Sequence, residues 1–99
     1  MPALFYILRL RSGALYPGST TDLDRRLAEH RSGTGGRTTQ LDPPVQLSYS
    51  EEHLTFSEAR RREAQVKRWT RAKKEALVAG NKSLLHKLAK RRAHANPDR

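Results

Sequence analysis

Three ionisable side chains of this sequence occupy positions where helical periodicity predicts apolar ones. At about 100° per residue, Arg26 and His30 fall on the same side of a predicted helix as its two leucines, whereas Arg25 points outward. Glu63 falls on the apolar stripe of a later predicted helix. Ionisable groups are rarely buried unless they are paired, hydrogen-bonded or functional. The positions of Arg26, His30 and Glu63 therefore make them candidates for chemistry.

These residue types fit metal-assisted hydrolysis of a phosphodiester. A guanidinium binds phosphate through a fixed fork of donors and stabilises charge that develops in the transition state. A single carboxylate with several waters is a common way to hold Mg²⁺, because that ion dehydrates reluctantly. Tyr6 and Tyr16 complete the set, although a phenol with a pKa of about 10 needs a cation or a histidine beside it to activate water. Serine-triad chemistry fits worse, because no serine lies in an elbow motif.

A purely structural interpretation of the same residues is also available. Arg26 would then extend its aliphatic stem along the edge of the sheet, and His30 would be a half-buried, hydrogen-bonded histidine. Glu63 would form a structural ion pair, with Arg26 as one candidate partner. The combination of two helices with inward polar groups and a sheet face with two tyrosines favours a shared pocket.

The two tyrosines belong to a predicted β-hairpin, LFYILRL and ALYPGS joined by RSG. A two-residue turn would place Tyr6 and Tyr16 on opposite faces of the sheet. A three-residue loop with Gly13 in the left-handed conformation pairs Leu8 with Tyr16 and puts both tyrosines on one face. Gly13 in the third position favours this second arrangement. Because Pro17 cannot donate to a ladder, it predicts that this strand lies at the sheet edge, with the first strand in the centre.

Turn and capping signals predict the remaining elements of the first half. Thr21 is expected to cap a helix over residues 22–31, which ends at Ser32 and Gly33. The segment GTGGRTTQLDPP that follows has the composition of a loop. A third strand is expected to begin at Val45.

The second half is predicted to be helical. Ser57 is expected to cap a helix that runs to about Arg68, and TRAKKEALVAG predicts another that Gly80 ends. Leucines repeat at helical spacing beyond that glycine. The predicted fold class is therefore a mixed α/β (α+β) domain, a small three-stranded antiparallel sheet flanked by helices, with an additional basic C-terminal helix.

Charge is unevenly distributed along the 99 residues, whose formal net charge is +10. Residues 1–56 carry six basic and six acidic side chains, whereas residues 57–99 carry fourteen and four. A basic helical surface of this kind suits a polyanion such as a nucleic acid. The sequence has no cysteine, no apolar run of about 20 residues and no signal-peptide pattern, so we expect a cytoplasmic protein without a membrane span.

Several segments together resemble the GIY-YIG nuclease superfamily, in particular its small bacterial stand-alone members. FYILRL and LYPGSTTDLDRRLAEH are similar to the two half-motifs and the first helix, and SYSEEHLTFSEARRREAQVKRW to the third strand and second helix. The similarity runs from about Leu4 to Leu77. Its specific part is the ordered set of Tyr, Tyr-x-Gly, Leu-x-x-Arg-x-x-x-His and a later helical Glu.

The resemblance implies DNA cleavage assisted by one divalent ion, Mg²⁺ or Mn²⁺, and gives each candidate a role. Tyr6 is the expected general base, and Tyr16 is expected to position the water or the phosphate. Arg26 would bind the scissile phosphate, and His30 would form a hydrogen bond with the catalytic tyrosine. Glu63 would hold the metal ion.

The same resemblance implies a wider surface for DNA and shows where this chain departs from the pattern. Phe5 precedes Tyr6 without the motif glycine, Pro17 replaces the middle residue of the second half-motif, and Thr38 stands where relatives often have tyrosine. Gly18 is expected to allow close approach of the phosphate backbone. The complete set of expected substrate-binding residues is Gly18, Arg37, Arg60, Arg61, Lys67 and Arg68.

The expected organisation is a nuclease domain over residues 1–79 and a basic helical tail over residues 80–99. Cleavage is expected to depend on DNA structure more than on sequence. The expected setting is DNA repair or recombination, and the expected oligomeric state is a monomer or a weak dimer. A nucleic-acid-binding module without catalysis is the alternative, and an interaction domain that uses the tail is a third. The tail carries Lys82, Lys87, Lys90, Arg91 and Arg92 for DNA, and Leu84, Leu85 and Leu88 for packing.

Overall fold

The computed structural model describes residues 2–83 and 85–86, of which residues 82–83 and 85–86 are helical. The elements that precede them are three strands and four helices. In chain order they are β1 (Ala3–Leu10), β2 (Leu15–Thr20), α1 (Leu23–Ser32), α2 (Arg37–Leu41), β3 (Pro44–His53), α3 (Phe56–Lys67) and α4 (Arg71–Val78). The chain divides into two compact units, Met1–Arg68 and Trp69–Arg99. The first unit holds every element except α4. No helix in the described ranges is long and apolar enough to cross a membrane.

The three strands form one antiparallel sheet in the order β2-β1-β3. This architecture confirms the predicted mixed α/β class. It also confirms that β1 is central and β2 lies at an edge. Pro17 pairs with Ile7 of β1, and its ring nitrogen, which has no proton to donate, is accommodated because β2 has only one neighbour.

The hairpin between β1 and β2 has the predicted three-residue loop. The backbone N–H of Leu10 donates to the carbonyl of Ala14 at 2.9 Å, and that of Gly13 donates back to Leu10 at 2.9 Å. Gly13 has φ of 94°, a conformation that glycine adopts without steric cost. Leu8 lies opposite Tyr16, so Tyr6 and Tyr16 share one face of the sheet.

Both faces of the central strand are covered, which explains why β1 is apolar along almost its whole length. On one face, Tyr6, Leu8 and Leu10 form a buried cluster against which Leu23 and Leu27 of α1 pack. On the other face, Phe5 is fully buried and the guanidinium of Arg62 in α3 lies 5.9 Å from its ring centroid. The helix that carries Arg26 and His30 is thus fixed over the tyrosine face.

The helix starts differ from the predictions. Asp22, not Thr21, caps α1 and accepts a hydrogen bond from the backbone N–H of Arg25 at 3.1 Å. Thr55, not Ser57, caps α3 and accepts from the N–H of Glu58 at 3.2 Å. In each case the capping oxygen accepts from the N–H three residues further along the chain, and a second candidate lies one or two positions away. The predicted end of α1 at Gly33 is correct.

The predicted loop after α1 was wrong in one part, because residues 37–41 form the short helix α2. Its single turn is too short for periodicity to reveal. The predicted helix before Gly80 is present as α4, which Thr70 caps. In the tail, Leu84, Lys87, Leu88, Lys90, Arg91 and Arg92 lie outside the described residues, and the division at residues 79 and 80 stays a prediction.

Candidate active site

Tyr6 lies at the centre of the sheet and is 1% exposed. It pairs directly with Gly18 of β2, and its ring lies across that glycine. A β-carbon at position 18 would overlap Cζ and the hydroxyl oxygen of Tyr6. Within the protein, Gly18 therefore permits the close approach of the Tyr6 ring, and the approach of a phosphate stays a prediction.

His30 projects from α1 toward the same ring and is fully buried. Its Nε2 lies 3.0 Å from the hydroxyl oxygen of Tyr6. The ring of Tyr16 contacts it edge-on, with 5.5 Å between centroids. His30 is therefore hydrogen-bonded, as the structural interpretation expected, but it is fully buried and not half-buried. Its partner is the tyrosine named as the candidate base.

The second nitrogen of His30 has a partner that the sequence did not indicate. Nδ1 lies 2.8 Å from Oγ1 of Thr39, which is 1% exposed and belongs to α2. Gly35 makes this packing possible, since a β-carbon there would lie 2.6 Å from Nδ1 of His30. The glycine-rich composition of GTGGRTT predicts a loop, and the close packing that Gly35 allows is the signal it carries for this contact.

Arg26 lies at the solvent-facing rim of the pocket formed by Tyr6 and His30, and 34% of its side chain is exposed. Its Nη1 donates to Oε1 of Glu29 at 3.0 Å, and its Nη2 donates to the carbonyl of Gly35 at 2.9 Å. These two bonds fix the plane of the guanidinium and leave other N–H groups for a ligand. The pairing with Glu63 that the structural interpretation considered is replaced by the pairing with Glu29.

Glu63 reaches the sheet edge from α3 and is 22% exposed. One carboxylate oxygen accepts from the hydroxyl of Ser19 at 2.5 Å, and the other lies 2.9 Å from Nζ of Lys67. The described residues contain no group of three or more His, Cys, Asp or Glu arranged for a metal ion. The donor chemistry of Glu63 fits Mg²⁺ or Mn²⁺, which are held by one or two carboxylates together with water and substrate oxygens.

The electrostatics of the site keep Tyr6 protonated and His30 neutral near pH 7. Burial raises the pKa of the Tyr6 hydroxyl, and the charge of Glu63 adds to that rise, while the hydrogen bond and charge of Arg26 oppose it. Burial lowers the pKa of His30, and the positive charge of Arg26 lowers it further. A neutral imidazole therefore faces a neutral phenol, and such an imidazole has one nitrogen that accepts a proton.

A cleft of about 420 Å³ adjoins Arg26 on the solvent side. Its wall includes Arg25 and Glu29 from α1 and the ring of Phe56 at the start of α3. Phe56 is 40% exposed. The remaining lining residues are Ser19, Thr20, Thr21 and Asp22. The cleft is of a size that takes a small polar ligand.

A second polar cluster connects α3 to β3 on the opposite face. Glu51 accepts hydrogen bonds from the hydroxyl of Tyr49 at 2.6 Å and from Nε of Arg62 at 3.0 Å, and lies 2.7 Å from Nε2 of His53. Burial and the bond to Glu51 raise the pKa of Tyr49 to about 12. Arg62 precedes Glu63, so this cluster helps to hold the helix that carries the candidate metal ligand.

The other residues expected to bind substrate are all exposed: Arg37, Arg60, Arg61, Lys67 and Arg68. Arg60 and Arg61 lie on the exposed side of α3, whereas Arg62 of the same helix is partly buried. Arg60 lies near the cleft, with its guanidinium carbon 5.8 Å from the centroid of the Phe56 ring. None of the five contributes to the hydrogen bonds around Tyr6 and His30 described above.

The sequence matches the family model of the GIY-YIG catalytic domain over residues 2–76. It is 43% identical over 74 residues to a UPF0213 protein of Bacillus pumilus, covering 75% of this chain and 76% of that protein. It is 44% identical over 72 residues to a UPF0213 protein of Halobacterium salinarum, covering 73% of this chain and 94% of that protein.

Two solution NMR structures have the same fold. The UPF0213 protein of Bacillus halodurans matches with a TM-score of 0.54 and 40% identity, covering 82% of this chain and 86% of that one. A protein from E. faecalis matches with a TM-score of 0.56 and 38% identity, covering 81% and 85%. Sequence and fold together show that this chain belongs to the GIY-YIG nuclease family, within its small UPF0213 branch of bacteria and archaea.

Proposed function

We propose that the protein is a metal-dependent DNA endonuclease that hydrolyses phosphodiester bonds. The observation that carries this proposal is the buried hydrogen bond between Tyr6 and His30, with Arg26 beside it. A phenol is a poor base at neutral pH. The neutral imidazole of His30, 3.0 Å away, is able to accept the phenol proton. The family membership supports a DNA substrate.

The residues take the following roles in this proposal. Arg26 binds the scissile phosphate with the N–H groups that Glu29 and Gly35 leave available, and stabilises charge in the transition state. Tyr6 accepts a proton from the attacking water as its own proton moves to His30. Tyr16, beside the same imidazole, positions the water or the phosphate.

Glu63 would hold the Mg²⁺ or Mn²⁺ ion. When bound there, the ion supplies positive charge that polarises the phosphoryl oxygen and stabilises the leaving group. The hydroxyl of Ser19 orients the carboxylate, because its bond occupies one oxygen and leaves the second facing Lys67. Lys67 is exposed, so its side chain is able to move away from Glu63 without leaving a cavity in the protein.

The cleft supports a preference for DNA with unpaired bases. Arg25 and Arg26 provide charge for phosphates, and the exposed ring of Phe56 provides a surface on which a base stacks. Duplex bases are already stacked on their neighbours and gain less from such a ring. Branched or flapped DNA is the expected substrate, with repair or recombination in the cytoplasm as the expected setting.

A nucleic-acid-binding module without catalysis is the alternative. The exposed cations of α3 suit DNA binding with or without cleavage. The buried polar set favours cleavage, because the hydrogen bond from Tyr6 to His30 gives the phenol proton an acceptor, which DNA binding alone does not require.

The test is cleavage of labelled branched, flapped, single-stranded and duplex DNA with Mg²⁺ or Mn²⁺. Glu63→Ala and Arg26→Ala should lose activity, whereas Glu52→Ala and Arg31→Ala, which remove the same charges at exposed positions, should retain it. Absence of cleavage by the wild type, or cleavage by the first two variants at the wild-type rate, would contradict the nuclease proposal.

A further inference from the structure

Both ring nitrogens of His30 are engaged inside the protein. Nε2 lies 3.0 Å from the hydroxyl oxygen of Tyr6, and Nδ1 lies 2.8 Å from Oγ1 of Thr39. His30 and Thr39 are 0% and 1% exposed. A neutral imidazole carries one N–H, so one nitrogen donates and the other accepts. The protons of the two partners determine which nitrogen carries the N–H.

On the Tyr6 side, the partners require that Nε2 accept. Burial raises the pKa of Tyr6, so its hydroxyl carries a proton that needs an acceptor. Arg26, whose charge acts on this hydroxyl, has donors only and supplies no acceptor. Among the hydrogen bonds of the described residues, Nε2 of His30 is the acceptor that the Tyr6 proton has.

On the Thr39 side, the hydroxyl is able to accept from Nδ1. Its own proton points toward the carbonyl oxygen of Gly36 at 3.4 Å, a long bond to a group that only accepts. All three protons then have acceptors. In the opposite arrangement Nε2 donates to Tyr6, and the Tyr6 proton is left without a partner in a buried site, which is costly.

The backbone before α2 holds Thr39 in this position. A β-carbon at Gly35 would lie 2.6 Å from Nδ1 and 2.8 Å from Cα of His30. The carbonyl of Gly35 also accepts from Arg26 at 2.9 Å. One short segment therefore places the threonine on the imidazole and holds the guanidinium.

We propose that Thr39 is a positioning residue that keeps the proton of His30 on Nδ1, so that Nε2 receives the proton of Tyr6. The assignment of the tautomer stands on the hydrogen-bond geometry of Tyr6, His30 and Thr39, together with a Tyr6 hydroxyl that keeps its proton. Its consequence for catalysis rests on the proposed nuclease function. In that reaction a proton of the attacking water moves to the Tyr6 oxygen and the Tyr6 proton moves to Nε2. The resulting imidazolium keeps the hydrogen bond from Nδ1–H to Thr39, and Nε2 later returns its proton to the Tyr6 oxygen as the tyrosine releases one to the leaving oxygen.

The tautomer is tested first, by long-range ¹H–¹⁵N NMR of the full protein near pH 7.5 without DNA or metal. The signals of His30 are identified by their loss in His30→Gln, since the chain has four histidines. The expected wild-type spectrum has a protonated Nδ1 and a pyridine-like Nε2. Protonation on Nε2 in the wild type overturns the proposal.

Thr39→Val and Thr39→Ser then test the role of the hydroxyl. Valine keeps the branched shape and removes the hydroxyl, so we expect the Nδ1 proton to lose its preference in that spectrum. We also expect kcat to fall about 10- to 100-fold with little change in KM, as for partners that orient other functional histidines. Serine keeps the hydroxyl and should restore both the spectrum and kcat.

The outcomes separate this proposal from the nuclease function. If Thr39→Val keeps the wild-type spectrum and kcat, or if Thr39→Ser fails to restore them, Thr39 has only a packing role. If Thr39→Val does not fold, the wild-type spectrum and the serine variant decide the question. If the wild-type protein cleaves no DNA, the nuclease function falls, while the spectra still decide whether Thr39 sets the tautomer.

Discussion

The hydroxyl oxygen of Tyr6 and Nε2 of His30 lie 3.0 Å apart, although 24 positions separate them in the sequence. The contact joins the central strand to α1 beneath the rim that Arg26 occupies. Tyr6→Phe removes only the hydroxyl. We expect its cleavage rate to fall about 10²- to 10⁴-fold, the range of a lost general base. The control is Tyr49→Phe, which removes a hydroxyl on the opposite face; equal losses in both variants would contradict the role of Tyr6.

Stability should depend on pH through His30. Burial lowers its pKa in the folded protein below the ordinary 6.5, so the unfolded chain binds more protons. The contribution of His30 to the free energy of unfolding is therefore complete above about pH 6.5. It is lost as pH falls from there through the lower folded pKa.

Urea unfolding at several pH values checks this dependence. The wild type should lose more stability than His30→Gln between pH 7 and pH 5. The pKa values of Glu29 and Glu51 are also lowered, but their ordinary value of 4.5 places their effect at lower pH. Parallel curves for the two proteins would show that His30 is not held neutral.

Gly18→Ala should destabilise the fold because its β-carbon overlaps the ring of Tyr6. Overpacking of this kind costs about 1–3 kcal/mol, measurable by urea unfolding. The same substitution in a Tyr6→Leu background should cost less, because leucine lacks the atoms that the β-carbon meets. An equal cost in both backgrounds would mean that the strain comes from the backbone of β2.

Sequence reasoning predicted the features that depend on periodicity and turn chemistry. Gly13 in the third loop position set the register, the register put Tyr6 and Tyr16 on one face, and the helical angle turned His30 toward them. Those relations extend over one hairpin or one helix, where local geometry decides. The edge position of β2 likewise followed from the missing N–H of Pro17.

The sequence did not predict the hydrogen-bond and ion-pair partners of the site residues. The bond between Thr39 and His30 depends on how one turn of helix packs, and five residues carry no periodic signal. Glu63 was correctly placed on an inward stripe, but its partners come from the edge strand and from its own helix. Arg26 pairs with Glu29, because residues three positions apart are neighbours on the surface of a helix.

Lys67 should compete with a divalent ion for Glu63, because its ammonium lies 2.9 Å from one carboxylate oxygen. Lys67→Met removes the charge and keeps the length of the side chain. We expect it to bind Mn²⁺ several-fold more tightly, since an exposed i,i+4 pair contributes about 0.3–0.5 kcal/mol and the ion also escapes repulsion. Calorimetric titration without DNA measures the change, and Arg68→Met is the matched control. Binding that is unchanged in Lys67→Met, or stronger in both, would contradict the competition.

Phe56 should govern the choice between unpaired and duplex DNA. Its ring is 40% exposed in the cleft beside Arg26, and stacking of a base on an aromatic side chain contributes about 1–3 kcal/mol. Phe56→Ala should therefore lower kcat/KM for flapped or single-stranded DNA about 5- to 150-fold and change duplex cleavage little. Phe56→Tyr keeps the stacking surface and should behave as the wild type. A uniform loss on all substrates would assign Phe56 to the packing of α3, because a disturbed helix displaces Glu63 whichever DNA is bound.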